Sequence, residues 1–293
     1  MSNASSLWNQ HAEDLKSFRF DLGDMLDITF AKDFPHERAR QWVSEHFFLF
    51  EQLSIAYFFL VFSIRWFMKD RKPFDLQLPL AAWNLFLAVF STVGSYYLIS
   101  ELINVTSKGF TASLCDRAEL YTGPSARWMW LFTLSKPAEF VDTFFIVLRK
   151  KPLVFLHWYH HIFTCVYMAY GFPTRMANFR WGIAMNYAVH SAMYSYYFLR
   201  AMNIKVPGKV AKAITTAQIL QFVISCFILA MTGVEHYVWE NKDCVFHVGA
   251  FWLAFLMDAT YLVLFANFFI QSYVIRGGKA KYSEVTKKPI KSE

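Results

Sequence analysis

Leu153-Val154-Phe155-Leu156-His157-Trp158-Tyr159-His160-His161-Ile162-Phe163 places three imidazoles inside an apolar run. The flanks are apolar enough to read as part of a helix that crosses a bilayer. On a helix, residues i, i+3 and i+4 share one face, so His157, His160 and His161 project the same way. Ionisable side chains within a membrane are costly and default to a functional reading. A single buried histidine is commonly a hydrogen-bonded core residue. Three within five residues on one helical face point to function instead.

The rest of the chain agrees with a membrane setting. Its 293 residues are 56% hydrophobic and 19% aromatic, and only 17% are charged. That is the profile of a polytopic membrane protein, not of a soluble domain. The formal net charge of +7 reads first as a topology signal. No basic stretch interleaved with aromatics lies outside the apolar segments, which sets nucleic acid aside as a partner. Four cysteines are too few for a disulfide scaffold. Residues 1–46 are mixed and polar, without the basic-then-apolar pattern of a cleavable signal, so the first span is expected to direct insertion.

A crossing needs about 20 apolar residues, and seven segments qualify: 47–67, 78–103, 128–148, 153–170, 181–199, 213–234 and 248–274. The expected fold class is all-α, with a lumenal N-terminal arm over 1–46, a seven-helix transmembrane domain over 47–275 and a basic cytosolic tail over 276–293. Pro79, Pro152 and Pro207 fall near span ends or in a connection, where proline does least harm. Lys and Arg concentrate in the loops after spans one, three and five and in the tail, including Lys69, Arg71, Arg149, Lys150, Lys151, Arg200, Lys287 and Lys288. The positive-inside rule then puts the C-terminus in the cytosol and the N-terminus on the opposite side.

Polar residues recur inside these spans. Span three carries Lys136, Glu139, Asp142 and Thr143, spaced as a stripe on one face. Span five carries Asn186, Tyr187, His190, Tyr194 and Tyr197; span six Thr215, Gln218 and Gln221; span seven Asp258, Asn267 and Gln271. Each stripe alone reads as interhelical glue. Counting ~1.5 Å per residue, however, Asp142, His160, His190, Gln221 and Asn267 all fall ~10–14 Å below the cytosolic surface. Glue has no reason to keep to one depth. A shared polar chamber with a basic rim is expected, suited to an amphiphile whose anionic, phosphate-bearing head sits among Lys and Arg while its apolar tail runs between helices.

Four motifs carry a family resemblance. They are Lys136-x-x-Glu139-x-x-Asp142-Thr143, His157-x-x-His160-His161, His190-x-x-Met193-Tyr194-x-Tyr196-Tyr197 and Thr215-x-x-Gln218-x-x-Gln221, in this order on consecutive spans. The set resembles the very-long-chain fatty acid elongase (ELO) family over about 47–274. Trp158-Tyr159 within the histidine box and Asn186-Tyr187 before His190 look most like the branch acting on saturated and monounsaturated chains. The resemblance implies a seven-helix enzyme of the endoplasmic reticulum, spans two to seven forming a barrel round an acyl tunnel with span one outside. It implies condensation of an acyl-CoA with malonyl-CoA, releasing CO2 and CoA, to give a 3-ketoacyl-CoA two carbons longer. His160 would take the acyl group, and His190 would lie against the reacting centre. Expected partners are membrane lipid, the ketoacyl-CoA reductase, dehydratase and enoyl-CoA reductase of the same cycle, and a second copy of the chain. One departure is the tail, which ends Lys291-Ser292-Glu293 with Lys287-Lys288 too far in for a dilysine retrieval signal.

The residues suit that chemistry. A neutral imidazole attacks a thioester to give an acyl-imidazole that stays reactive. His157 or His161 would hold the attacking tautomer, and Asp142 would orient a ring or anchor water. Lys136 and Glu139, one turn apart, either neutralise each other or take part in the site. Tyr194, Tyr197, Gln218 and Asn267 are candidate donors to the thioester or to CoA, with Asn186, Tyr187 and Gln221 beside them. Cys165, four residues from His161, is a rival nucleophile, although single buried cysteines usually behave as small hydrophobes. No cofactor and no metal are expected. The alternative is a membrane di-iron desaturase or hydroxylase, but two irons need more ligands than the four histidines read as buried here. A seven-span receptor or transporter is the remaining rival.

The topology also sorts the cysteines. Cys165 and Cys226 fall within spans, while Cys115 and Cys244 fall in loops on the oxidising side, so a Cys115–Cys244 disulfide is expected, and the family resemblance supports it. Tyr170, Phe172 and Trp181 are candidates for capping the far end of the tunnel and so for limiting chain length.

Overall fold

A computed structural model describes residues 21–117 and 120–275. Residues 1–20 of the expected arm and the whole expected tail, 276–293, lie outside the described residues. Every regular element among the described residues is helical. In chain order these are α1 Leu22–Phe30, α2 His36–Glu45, α3 Phe47–Phe67, α4 Gln77–Ser107, α5 Phe110–Cys115, α6 Gly123–Ala138, α7 Val141–Leu148, α8 Phe155–Gly171, α9 Phe179–Ala201, α10 Gly208–Tyr237 and α11 Val248–Phe269. A short 3₁₀ turn, Phe172–Thr174, follows α8, and a π turn, Ile270–Ile275, extends α11. Among the described residues, four helical stretches are long and apolar enough to cross a membrane: Phe47–Phe67, Gln77–Ser107, Gly208–Tyr237 and Val248–Ile275.

The third expected span is not one helix. It breaks into α6 and α7 at Glu139 and Phe140. Pro137 has no N–H to donate and its ring crowds the preceding turn, which disrupts a helix from within. Past it the backbone tightens: Phe140 N–H donates to the Pro137 carbonyl, Asp142 to Glu139 and Thr143 to Phe140. These three-residue steps reset the helical phase. The expected stripe Lys136–Glu139–Asp142–Thr143 is therefore split, with the first pair facing one neighbour and the second pair others.

Part of the segment 21–46 packs on the helices that follow. Ile28, Ala39, Trp42 and Val43 are buried, and Trp42 meets Trp130 edge-on at 5.4 Å between ring centroids. Arg127 donates to the carbonyls of Ala31 and Lys32. On α2 the buried Ala39, Trp42 and Val43 share one face, while Leu22, Leu26 and Phe30 of α1 are exposed.

Helix α9 lies along α4 over much of its length, α9 also packs on α10, α10 on α11, α11 on α8, α8 on α6, and α6 on α4. Helix α3 packs against α8 and α7. Gly94 permits the close approach of α4 and α9, since a Cβ there would meet the Tyr187 ring at 2.6 Å. Thr92 and Ser191 hydrogen-bond across the same seam at 2.6 Å.

Cys115, ending α5, is bridged to Cys244, in the connection from α10 to α11, across 129 residues of sequence. Leu114 and Ile228 pack round the bridge. Nearby, the carboxylate of Glu235 accepts from the Thr111 hydroxyl at 2.7 Å and the Asn241 amide at 2.9 Å. The bridge and these bonds fasten α5 to the end of α10.

Candidate active site

Val154 is extended and Pro152 precedes it, so α8 starts at Phe155 and the histidine box fills its first two turns. His157 and His161 stand together, with ring centroids 4.5 Å apart. His157 Nε2 lies 2.9 Å from the Thr143 hydroxyl, and Thr143 in turn lies 2.7 Å from the Tyr57 hydroxyl. Tyr57 sits on α3 and Thr143 on α7, so two other helices fix the first imidazole.

His160 lines the same wide space as these two residues and packs against Tyr261 of α11, with ring centroids 4.9 Å apart. The Tyr261 hydroxyl donates to the His160 carbonyl at 3.1 Å and lies 3.0 Å from the Thr164 hydroxyl. With its proton already given to the carbonyl, Tyr261 accepts from Thr164. Among the described residues no side chain hydrogen-bonds the His160 ring.

His190 is held from behind. Glu139 accepts from Lys136 Nζ at 2.6 Å and from the Ser135 hydroxyl at 3.0 Å. Lys136 Nζ lies 3.5 Å from Asn186 Oδ1, and Asn186 Nδ2 lies 3.3 Å from His190 Nε2. Because an ammonium only donates, it fixes which end of the Asn186 amide is the oxygen. The NH2 end therefore donates to His190 Nε2, which leaves the His190 proton on Nδ1.

Two cavities meet at these residues. The wide one, about 540 Å³, is lined by Asp142, His157, His160, His161, Asn186, His190, Tyr194, Tyr197, Gln218 and Gln221, and also by Arg149, Lys151 and Arg200. The narrow one, about 80 Å³, is largely apolar and extends among Phe132, Met168, Ile183, Leu229 and Ala254. His160, Asn186, Gln221 and Phe222 line both. They form the neck between a basic-rimmed chamber and an apolar slot.

Most of the expected residues converge on the chamber, and four do not. Lys136 and Glu139 are buried one layer behind it, reaching it only through Asn186. Tyr187 points into the α4 seam and donates to the Trp128 carbonyl at 2.9 Å. Asn267 is exposed, because Tyr261, Phe265 and Phe268 form the inward face of this part of the chain and position 267 lies off that face. Gln218 lines the chamber but gives its amide to the Met193 sulfur at 3.4 Å. Among the described residues Asp142 bonds no histidine; it accepts from Trp83 Nε1 at 2.6 Å and from the Tyr194 hydroxyl at 2.7 Å. Cys165 is buried in the main core and lines neither cavity.

Sequence reasoning missed Trp83 and Tyr57. Nothing marks either one among the many aromatics of spans one and two. Ser225, which donates to Asp258 at the side of the narrow cavity, carries a weak signal: it lies four residues after Gln221, one turn along the same face.

An all-helical membrane protein whose histidines stand between a basic-rimmed chamber and an apolar slot has the form of an enzyme for a long-tailed, anionic substrate. The chain belongs to the ELO family: residues 42–281 match the model of the GNS1/SUR4 family. It is 49% identical over 259 residues to "Long chain fatty acid elongase 1" of Caenorhabditis elegans, covering 88% of this chain and 89% of that protein. It is 39% identical over 267 residues to "Very long chain fatty acid elongase 6" of Mus musculus, covering 89% and 97% respectively. The desaturase alternative has no support in these relatives. Among the described residues, no three His, Cys, Asp or Glu side chains group as a metal site.

Proposed function

We propose that this chain is the condensing enzyme of fatty acid elongation, a 3-oxoacyl-CoA synthase that joins a long-chain acyl-CoA to malonyl-CoA. The observation that carries this reading is the place of His160 at the neck, in the lining of both cavities, with no side-chain hydrogen bond to its ring among the described residues. The CoA portion belongs in the wide chamber, where Arg149, Lys151 and Arg200 suit phosphates. The acyl tail belongs in the narrow slot.

In the first half-reaction a His160 ring nitrogen attacks the thioester carbonyl and the carbon–sulfur bond breaks. The imidazole proton passes to the departing thiolate, leaving CoA and an acyl-imidazole. In the second, malonyl-CoA loses CO2, and the electron pair of that bond forms the new carbon–carbon bond at the acyl carbonyl. The imidazole leaves and recovers a proton from solvent. The product is a 3-ketoacyl-CoA longer by two carbons. His190 stands beside the neck with its tautomer set by Asn186, and the buried Gln221 is placed to meet the developing oxyanion with its amide. His157 holds the box through Thr143, with the His161 ring packed edge-on against it.

The same reading makes the molecule a seven-span protein with spans two to seven as a barrel and span one outside. The closed succession of neighbours α4, α9, α10, α11, α8 and α6 supports this. It places the chain in the endoplasmic reticulum membrane, N-terminus lumenal and C-terminus cytosolic. The basic chamber rim supports a cytosolic mouth, and the Cys115–Cys244 bridge supports an oxidising compartment at the other end. Saturated and monounsaturated acyl-CoAs are the proposed substrates. The ketone product implies a reductase, a dehydratase and an enoyl reductase downstream, and a homodimer is the proposed assembly.

The test is incubation of the purified protein with acyl-CoA and labelled malonyl-CoA. Wild type should form the ketoacyl product, and acyl-CoA alone should release free CoA. His160→Ala should fold and do neither. Turnover near wild type in His160→Ala would sink the nucleophile assignment.

A further inference from the structure

The narrow cavity is not uniformly apolar. Asp258 of α11 lines it, 7% exposed, with Ser225 of α10 donating to Oδ2 at 2.5 Å. Among the described residues no donor reaches Oδ1. Asn178, also 7% exposed and in the same lining, has a buried Oδ1 with no hydrogen-bond partner. A buried carboxyl and a buried amide without full partners are both expensive inside a membrane. A slot that took only hydrocarbon would have no use for them. Glue between helices accounts for the Ser225–Asp258 bond but leaves Oδ1 of Asp258 and the Asn178 amide unexplained.

We infer that the narrow cavity is a subsite for an acyl chain bearing a hydroxyl part-way along its tail, held at one depth by Asp258, which Ser225 positions, or at another by Asn178. The inference rests on the reading of this cavity as the acyl slot. A hydroxyl is the polar group that satisfies the set. It donates to the free carboxyl oxygen of Asp258 and accepts from a donor, so it pairs with the Asn178 amide in either orientation. The groups form two stations at different depths. Asp258 is three residues, ~4.5 Å, beyond Tyr261, which touches His160. Asn178 is eight residues, ~12 Å, beyond Asn186 at the neck. The site therefore reads the position of the hydroxyl as well as its presence.

The experiment is a scan with the purified full chain and malonyl-CoA. Acyl-CoAs of one length, each with a single hydroxyl at a different carbon, compete against the plain chain. For wild type, one or two hydroxyl positions should be elongated with kcat/KM within about tenfold of the plain chain, the others far more weakly. In Asp258→Leu the ratio of hydroxylated to plain kcat/KM at the nearer position should fall at least tenfold. Because the ratio is read within each protein, a change in total activity does not enter. If Asp258→Leu does not fold, Asp258→Asn and Ser225→Ala replace it, with the same fall expected. Uniform rejection of every hydroxylated chain by wild type, beyond about a hundredfold, would mean that ordered water alone fills the stations, and would overturn the inference. So would a ratio unchanged by all the variants. Failure to elongate even the plain chain would instead refute the condensing function.

Discussion

Trp83 donates its indole N–H to Oδ1 of Asp142 at 2.6 Å, joining α4 to α7 across 59 residues of sequence. Tyr194 of α9 donates to the other oxygen at 2.7 Å. One carboxylate thus ties three helices at the wall of the wide chamber. Among the described residues its hydrogen bonds go to these ties and not to a histidine.

Asp142→Leu should therefore act on stability first. The buried Tyr194 hydroxyl loses its acceptor, at about 1–3 kcal/mol, and the half-buried Trp83 indole loses its own at less. Trp83→Phe removes one donor and should cost about 1 kcal/mol. Thermal unfolding of the detergent-purified variants measures both, and equal melting of Asp142→Leu and wild type would refute the tie.

Lys136 and Glu139 offer a separation of stability from activity. Glu139→Leu leaves a buried ammonium without its partner, which should cost about 3–5 kcal/mol. The double variant Lys136→Met, Glu139→Leu should unfold at a higher temperature than either single variant. Its ketoacyl synthesis should stay low, because Asn186 loses the donor that fixes its amide and with it the His190 tautomer. Recovery of both properties together would reduce the pair to charge neutralisation.

Chain length should respond to one of the three expected aromatics. Trp181 lines the narrow cavity, and its N–H donates to Ser113 at 3.1 Å beside the Cys115–Cys244 cluster. Tyr170 packs on Phe47 and His247, and Phe172, 1% exposed, packs on Trp130 and His36. Trp181→Ala should lengthen the products seen by mass spectrometry. Phe172→Ala should cost about 3–5 kcal/mol of stability and leave the product profile alone. Unchanged product length in Trp181→Ala would remove it as the stop.

His36 gives a pH dependence. Burial, then the charge of Arg175, lower its pKa to about 4, while Glu37 opposes and Arg40 adds a little. The folded-state pKa lies below the unfolded value of about 6.5, so the unfolded chain takes up the proton first. The contribution is intact above about pH 6.5 and is lost as pH falls towards 4, up to about 3 kcal/mol. Wild type should melt progressively lower between pH 7 and pH 5, and His36→Gln should show a shallower slope. Parallel slopes would exclude His36 as the titrating group.

The sequence by itself determined the class of protein. Apolar runs of bilayer length, the three imidazoles of 157–161 and the ordered motifs sufficed for an all-helical membrane enzyme of the ELO family. The Cys115–Cys244 pair, expected from separating loop cysteines from those within spans, is bridged. Helical periodicity also gathered most of the chamber, because residues at i, i+3 and i+4 share a face wherever the helix is regular. Only the tertiary structure decided the rest. Pro137 resets the helical phase within span three, so Lys136 turns to Glu139 and Asn186 while Asp142 turns to Trp83. Periodicity cannot be carried across such a break. Asn267 and Tyr187 sit on the right helices but off the inward face, and the azimuth of a helix follows from its neighbours. Tyr57, Trp83 and Ser225 acquire roles only through partners on other helices. A hydrogen bond between distant segments leaves no period in either one.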